Sequence, residues 1–253
     1  MFSVHNCKDI RIEHCTFADN HLYDDMIHVM YAEVILDDIR LLNARMDALD
    51  CDISKVVLRN SRFIKSGNDG VDLMTATAIV HDCVFEKNGD KGISIGEGTY
   101  LVAARCVFDG CVKAMEAKDS SIAHVFNCEI VNCNRAFNSY KKNWRYDAGG
   151  NIFVYKSFLA KNREMPTADQ WSRAELIDCA IDKGAVIAPM CDMSYVDGTT
   201  VRMVNHARMT DCNGGRGPKH RRPFPFPSTL RHMEGMALAL WLSMRIDYRG
   251  VPR

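Results

Sequence analysis

The 253-residue sequence contains no long apolar segment and no export signal. Its longest apolar run, residues 236–244, is much shorter than the roughly 18 residues of a membrane-spanning helix. Residues 1–7 lack both the basic start and the apolar core of a secretory signal peptide. We therefore expect no membrane span, and the missing signal leaves a cytoplasmic location open.

The usual sequence patterns of metal-binding proteins are also missing. None of the eleven cysteines belongs to a Cys-x-x-Cys pair, so a zinc site of that type is not expected. Most histidines are isolated and lack the spacing of metal ligands. We expect seven of them to be incidental: His5, His14, His81, His124, His206, His220 and His232.

The chain has no net charge, but its basic and acidic residues are unevenly distributed. Residues 213–253 hold eight basic and two acidic residues, so this segment carries +6 and residues 1–212 carry −6. An acidic body disfavours nucleic acid as the partner. The proline and glycine of the last segment cannot continue regular strands. We predict a main domain over residues 1–212 and a basic tail over residues 213–253, which either caps the domain with a short helix or is disordered.

What the sequence does contain is a repeat of 22 residues with charged residues at fixed positions. Five repeats start at Val34, Val56, Ala78, Tyr100 and Ile122. The first position holds the charged residues Asp47, Asp69, Lys91, Lys113 and Arg135, and the second, three residues later, holds the polar or charged residues Asp50, Asp72, Ser94, Glu116 and Asn138. A period of this length is typical of solenoid proteins, in which sequence columns become rows in space.

Each repeat combines strand and turn patterns. Residues 79–85 alternate apolar and polar side chains, as a half-buried strand does, and residues 86–90 are typical of a turn. Helical spacing is absent, and the inward residues are Val, Ile, Phe and Cys rather than the Leu of leucine-rich repeats. We predict an all-β, single-stranded right-handed parallel β-helix of about seven or eight coils. Because Ile10 is already in register, we expect the chain to be part of a longer one.

The chain resembles the pectate-lyase-like superfamily of right-handed parallel β-helix proteins. The resemblance rests on Gly-Asn-Asp-Gly-Val-Asp at residues 67–72, on Gly-Asp-Lys-Gly-Ile-Ser-Ile-Gly at residues 89–96 and on recurrent Cys/Asn-x-Phe strands. It covers about residues 5–185. It implies a carbohydrate ligand and a secreted or cell-surface location. Because this superfamily includes lyases, hydrolases, epimerases and inactive surface proteins, it leaves open whether the chain is an enzyme.

The cysteines repeat in two columns. Cys15, Cys83, Cys106, Cys128 and Cys179 share one position of the repeat, and Cys111 and Cys133 share another. Neighbouring side chains of a parallel stack keep their Cβ atoms about 4.8 Å apart. A disulfide needs roughly 3.5–4.5 Å. We therefore predict free, buried thiols.

The charged columns are expected to form two outward rows, extended at one end by Asp25 and His28. Two like charges about 5 Å apart on a protein surface repel by about 3 kcal/mol. We therefore expect a cation, a neighbouring lysine or a raised pKa to offset the repulsion among the four carboxylates of the acidic half. Lys91 is placed to pair with Asp69 on the preceding coil.

The resemblance implies a chemistry for these rows. Ca²⁺ held by Asp47, Asp50, Asp69 and Asp72 would bind the carboxylate of a uronate. Lys91 or Lys113 would then remove its C5 proton, in β-elimination or epimerisation of an acidic polysaccharide, with Asp69 completing the catalytic set.

Two alternatives stay open. The first is a non-catalytic structural or surface β-helix whose charged columns are solvated, salt-bridged ladders. The second is a pectinase-like glycoside hydrolase using Asp69, Asp72 and Asp90 as acid and base. The hydrolase motif is incomplete, because no Asp-Asp pair follows on the next coil and Lys91 stands where a histidine is expected.

The insertion at residues 140–146 interrupts the repeat with aromatic and basic residues. Insertions in a solenoid become loops on one face, often the binding face. The predicted ligand-binding residues are Tyr140, Lys141, Lys142, Trp144, Arg145, Arg135 and Glu116. The aromatic rings would stack on sugars and the basic groups would meet uronates, unless the loop only packs against the flank. We expect an acidic polysaccharide partner and a monomer or a part of a longer chain.

Overall fold

A computed structural model describes residues 1–182 together with the later strands Ser194–Val196, Thr199–Val204 and Arg208–Thr210. The predicted tail over residues 213–253 lies outside the described residues. The described part of the chain is built from β-strands and turns. It contains no helix long and apolar enough to cross a membrane.

The chain winds through three sheets, and each full coil contributes one strand to each sheet. Strands are numbered β1 to β27 in chain order. Sheet 1 comprises β1 Phe2–His5, β4 Ile27–Met30, β7 Leu49–Asp52, β10 Val71–Met74, β13 Lys91–Gly96, β16 Lys113–Lys118, β19 Arg135–Tyr140 and β22 Thr167–Ala168. Its eight strands agree with the predicted number of coils.

Sheets 2 and 3 form the other two faces. Sheet 2 comprises β2 Ile10–Glu13, β5 Glu33–Asp37, β8 Lys55–Arg59, β11 Thr77–His81, β14 Tyr100–Ala104, β17 Ile122–Phe126, β20 Asn151–Tyr155, β23 Arg173–Ile177, β26 Thr199–Val204 and β25 Ser194–Val196. Sheet 3 comprises β3 Thr16–Ala18, β6 Arg40–Leu42, β9 Arg62–Ile64, β12 Val84–Glu86, β15 Val107–Asp109, β18 Glu129–Val131, β21 Phe158–Ala160, β24 Ala180–Asp182 and β27 Arg208–Thr210. The described strands pair in parallel, apart from β25 with β26. The predicted all-β parallel solenoid is confirmed.

A left-handed residue makes the corner between sheets 2 and 3. One residue with positive φ follows the sheet 2 strand in coil after coil: Asp38, Asn60, Asp82, Arg105, Asn127, Lys156 and Asp178. Asn and Asp tolerate this conformation better than other side chains, which explains their frequency there. The single left-handed residue turns the chain sharply, so consecutive strands lie on different faces.

The repeat register holds with one exception. Val56 pairs with Ala78 as the repeat predicts, but Ala78 pairs with Leu101 rather than with Tyr100. The turn after β13 therefore contains one extra residue. Sheet 1 returns to the 22-residue spacing, because Lys91 pairs with Lys113. Leu101 is buried and Tyr100 is only half-buried, so the predicted repeat start lies one residue before the inward position.

The interior consists of stacked inward side chains. Phe63, Phe85 and Phe108 form a column with nearly parallel rings, and their centroids are 4.9 and 4.7 Å apart. This separation matches the spacing between parallel strands, so each ring rests on the ring of the preceding coil. The stack therefore continues through three successive coils of the core.

The predicted free thiols are confirmed for the nine cysteines of the described residues. Cys83, Cys106, Cys128 and Cys179 are buried, and Cys15 is half-buried. The Cys106 backbone N–H lies 3.4 Å from the Cys128 sulfur, so stacked thiols take part in the packing without bonding covalently. Burial raises the pKa of Cys179, which keeps this thiol protonated.

Candidate binding face on sheet 1

The two predicted rows lie next to each other on sheet 1. Strand pairing places the second row in direct register: His28, Asp50, Asp72, Ser94, Glu116 and Asn138. In the first row, Lys91 pairs with Lys113 and Lys113 with Arg135. Asp47 and Asp69 precede them on neighbouring coils, joined by backbone hydrogen bonds of the adjacent residues. The columns read from the sequence are therefore rows in space.

The centre of these rows is buried rather than solvated. Asp69, Lys91 and Glu116 are each less than a tenth exposed. Lys91 Nζ lies 3.3 Å from Asp69 Oδ1, 2.6 Å from Asp90 Oδ2 and 3.9 Å from Glu116 Oε1. The expected pair of Lys91 with Asp69 is present. Asp90, the residue before Lys91 in the sequence, is a further partner.

A second lysine closes the network. Lys113 Nζ lies 2.9 Å from Glu116 Oε2 and 3.3 Å from Asp90 Oδ1. Asn138 Nδ2 donates to Glu116 Oε2 at 2.8 Å. We call Asp69, Asp90, Lys91, Lys113 and Glu116 the ion-pair cluster.

The ends of the cluster are also engaged. The hydroxyl of Tyr140 lies 3.5 Å from Glu116 Oε1, which connects the cluster to the end of β19. Arg135 forms an ion pair with Glu164 outside the cluster. Two of the predicted ligand-binding residues are thus already engaged within the protein. Glu116 is buried in the ion-pair cluster, and Arg135 has a carboxylate partner.

Burial and charge act in opposite directions within the ion-pair cluster. Burial would lower the pKa of Lys91, but Asp69, Asp90 and Glu116 raise that pKa well above its ordinary value. Burial raises the pKa of Asp69 to about 7 against the opposing charge of Lys91. Burial also opposes ionisation of Glu116, but the hydrogen bonds from Lys113 and Asn138 lower its pKa. Lys91 is therefore protonated at neutral pH and cannot accept a proton.

The four predicted calcium ligands do not converge on one point. Asp47 Oδ1 accepts hydrogen bonds at 2.8 Å from Asn68 Nδ2 and from the Asp69 backbone N–H, while Asp69 faces Lys91. No three of Asp47, Asp50, Asp69 and Asp72 bring carboxylate oxygens within 4.8 Å of one another. Calcium binding by this set stays a prediction.

Carboxyl pKa values around the acidic half are raised, mainly by burial and then by the neighbouring carboxylates. Burial, followed by the charges of Asp52 and Asp25, raises the pKa of Asp50 to about 8. Burial and Asp47 also raise the pKa of Asp25. Asp50 therefore resists ionisation among neighbouring carboxyl groups, whereas the carboxylates of the ion-pair cluster have lysine partners.

The predicted loop is anchored at its first residues. Asp119 Oδ1 accepts the backbone N–H groups of Lys142 and Asn143 at 2.8 and 2.7 Å. Asp169 Oδ2 accepts the backbone N–H of Lys141 at 2.9 Å. Because Asp119 is buried, these bonds fix the direction in which the loop leaves β19.

Two exposed tryptophans lie in the insertions. Trp144 is 83% exposed, and the guanidinium of Arg145 lies 5.8 Å from the centre of its ring. Trp171 is 53% exposed, and Lys141 Nζ lies 5.0 Å from its ring centre. Trp171 was not among the predicted ligand-binding residues; it lies between β22 and β23, where an aromatic residue outside the strands was a usable signal. We call Lys141, Lys142, Trp144, Arg145 and Trp171 the aromatic-basic surface.

Comparison with known families agrees with this architecture. Residues 3–163 match the family model of the right handed beta helix region, which is more than half of the chain. The chain therefore belongs to the right-handed β-helix family, as the resemblance to pectate-lyase-like proteins implies. No curated protein matches the chain.

Proposed function

We propose that this β-helix binds an acidic polysaccharide through the aromatic-basic surface and acts as a binding module rather than as a lyase. The observation that carries the proposal is the exposure of Trp144 and Trp171, each with a cation near its ring. A partner of this kind is met at the cell surface or outside the cell, which is where we place the protein.

The chemistry of the aromatic-basic surface suits a charged glycan. An indole face offers a flat apolar area on which the apolar face of a sugar ring can pack, and it loses little conformational freedom on binding. Lysine and arginine pair with carboxylates, and arginine does so in a bidentate manner. The anchored start of the loop reduces the entropy that binding would otherwise cost.

The ion-pair cluster argues against elimination at Lys91. A general base needs a pKa near the working pH and direct access to the proton that it removes. Lys91 is buried among carboxylates that raise its pKa, so it satisfies neither requirement. Asp69 is buried as well, which removes it from contact with a substrate. Lys113 is more exposed and is the base that an elimination mechanism would have to use.

The proposal is tested by calorimetric titration of the full chain with an oligomer of uronic acid. We expect Trp144→Ala and Trp171→Ala each to weaken binding about tenfold, equivalent to about 1.4 kcal/mol. Tyr23→Ala is the matched control, because Tyr23 is exposed to the same 53% as Trp171 but lies in the first coils. Equal affinities of all four proteins would contradict the proposal.

The same samples test the alternative activity. Absorbance of unsaturated uronates is followed with the wild type and with Lys113→Met, in the presence and absence of calcium. We expect no new absorbance from either protein. Absorbance that appears with the wild type and disappears with Lys113→Met would replace the binding module with a lyase.

A further inference from the structure

We propose that His28, Asp50 and Asp52 form a binding site for a divalent transition-metal ion of the zinc class. This site is distinct from the aromatic-basic surface and does not depend on the proposed glycan binding. It also differs from the calcium set expected from the sequence, with which it shares only Asp50.

Two adjacent strands of sheet 1 build the site. His28 lies in β4 and pairs in register with Asp50 of β7. Asp52 is two residues further along β7, so its side chain leaves the strand on the same side as that of Asp50. The three side chains therefore project from one small area of the outer face. They are 16%, 23% and 13% exposed, which leaves the site accessible from solvent.

The distances suit metal ligands, although the shortest of them, 3.4 Å between His28 Nε2 and Asp52 Oδ2, is also a long hydrogen bond. His28 Nε2 lies 3.4 Å from Asp52 Oδ2 and 3.8 Å from Asp50 Oδ2, and the three donor atoms lie within 4.8 Å of one another. Hydrogen bonds from N–H to oxygen are about 2.7–3.2 Å long. Two ligands of a tetrahedral ion with bonds of about 2.0–2.2 Å are separated by about 3.4 Å.

Another pair in the same chain shows what a simple His–Asp contact looks like. His14 Nδ1 lies 2.9 Å from Asp38 Oδ2 at an exposed position, and the pair belongs to no group of three potential metal ligands among the described residues. The His28 nitrogen instead faces two carboxylates at longer distances, and one N–H cannot satisfy both. A metal ion bound between the imidazole nitrogen and the two carboxylate oxygens would interact favourably with all three atoms.

The donor set selects the class of ion. An imidazole nitrogen with carboxylates suits zinc and related transition ions, whereas calcium takes about six to eight oxygen ligands. The exposed ring of His5 lies 5.1 Å from the His28 ring, centre to centre, but its nitrogens do not lie within 4.8 Å of all three ligand atoms.

The test is cobalt titration of the full chain, prepared without an affinity tag and freed of metal with a chelator. We expect one Co²⁺ per chain, with a visible spectrum of nitrogen and oxygen ligands and without thiolate charge-transfer bands. A large excess of calcium should not displace the cobalt. His28→Ala and Asp52→Asn should each weaken binding at least about tenfold. His14→Ala, the matched control, should bind as the wild type does.

Several results would overturn the site. These are the absence of cobalt uptake by the wild type, thiolate bands, displacement by calcium, or wild-type affinity in both ligand variants. Circular dichroism shows whether each variant is folded. If His28→Ala does not fold, the isosteric Asp52→Asn decides the outcome by the same measurement.

Discussion

Lys91 illustrates how a single residue stabilises buried carboxylates on sheet 1. Its ammonium group has three carboxylates within 4 Å, and little of the side chain reaches water. A buried charge is tolerated only when partners replace the water that it has lost. The lysine therefore serves mainly to make the surrounding carboxylates compatible with burial.

Removal of that charge should be costly. Lys91→Met keeps the length of the side chain but leaves Asp69, Asp90 and Glu116 without their common partner. We expect the free energy of unfolding in urea to fall by about 3–5 kcal/mol. Lys87→Met, at an exposed lysine that pairs with Glu86, should leave stability close to that of the wild type. Equal stability of both variants would show that Lys91 is not required in the network.

Glu116 should make stability depend on pH in a definite direction. Its pKa is lowered in the folded state, so its contribution is fully present above its unfolded pKa of 4.5 and is lost as the pH falls through the folded value. Glu116→Gln lacks this contribution. The wild type should exceed the variant by about 3 kcal/mol at neutral pH, and this difference should shrink below about pH 4.5.

Urea unfolding at a series of pH values measures the difference. Glu129→Gln, at an exposed position of β18, controls for the loss of a surface carboxylate. A difference between wild type and Glu116→Gln that stays constant, or that widens in acid, would contradict the ionised state of Glu116 in the ion-pair cluster.

At the scale of the element, β13 depends on a close approach at Gly92. A Cβ atom there would lie 2.5 Å from the ring of Phe108 and 2.7 Å from the carbonyl oxygen of Ala114. The glycine lets the strand that carries Lys91 pack directly on the phenylalanine column. The position of Lys91 in the ion-pair cluster thus depends on how closely β13 packs on Phe108 of the following coil.

Gly92→Ala should therefore destabilise the fold by about 1–3 kcal/mol through overpacking. Gly96→Ala is the matched control in the same strand, because a Cβ atom at Gly96 meets nothing closer than 3.5 Å. Thermal unfolding of both variants measures the effect. If both substitutions have the same effect, β13 does not pack as described.

The repeat made the strands, the free thiols and the two rows predictable, because a constant period determines which residues stack. The lengths of the turns could not be predicted from the repeat. The extra residue before Tyr100 changes which residue faces inward in β14. A shorter turn later compensates for it, so Lys91 and Lys113 keep the 22-residue spacing and the change is not evident from the repeat. The burial of the ion-pair cluster could not be predicted either. The repeat indicates that a charged residue points outward, but it does not show whether neighbouring side chains cover that residue.

The site was predictable only in part for a related reason. The repeat placed Asp69 beside Lys91, but the hydrogen bonds that occupy Asp47 depend on side-chain rotamers. The grouping of His28 with Asp52 joins two different columns, so the repeat does not reveal it. Trp171 has no equivalent in other coils and left no periodic signal.

At the scale of the whole described solenoid, charge and chemistry change along the coils. The early coils present the closely spaced carboxyl groups around Asp50, and the middle coils hold the ion-pair cluster. The later coils carry Trp144 and Trp171 with their neighbouring cations. Because a solenoid keeps each coil in contact mainly with its neighbours, these regions can act independently.

The most direct test of acidic glycan binding is a calorimetric titration of the full chain with a uronic acid oligomer and with its carboxyl-reduced counterpart. We predict binding of the acidic oligomer, weakening as salt screens the charges, and an affinity at least tenfold lower for the reduced form. Equal affinity for the two oligomers, or no heat with either, would contradict the account.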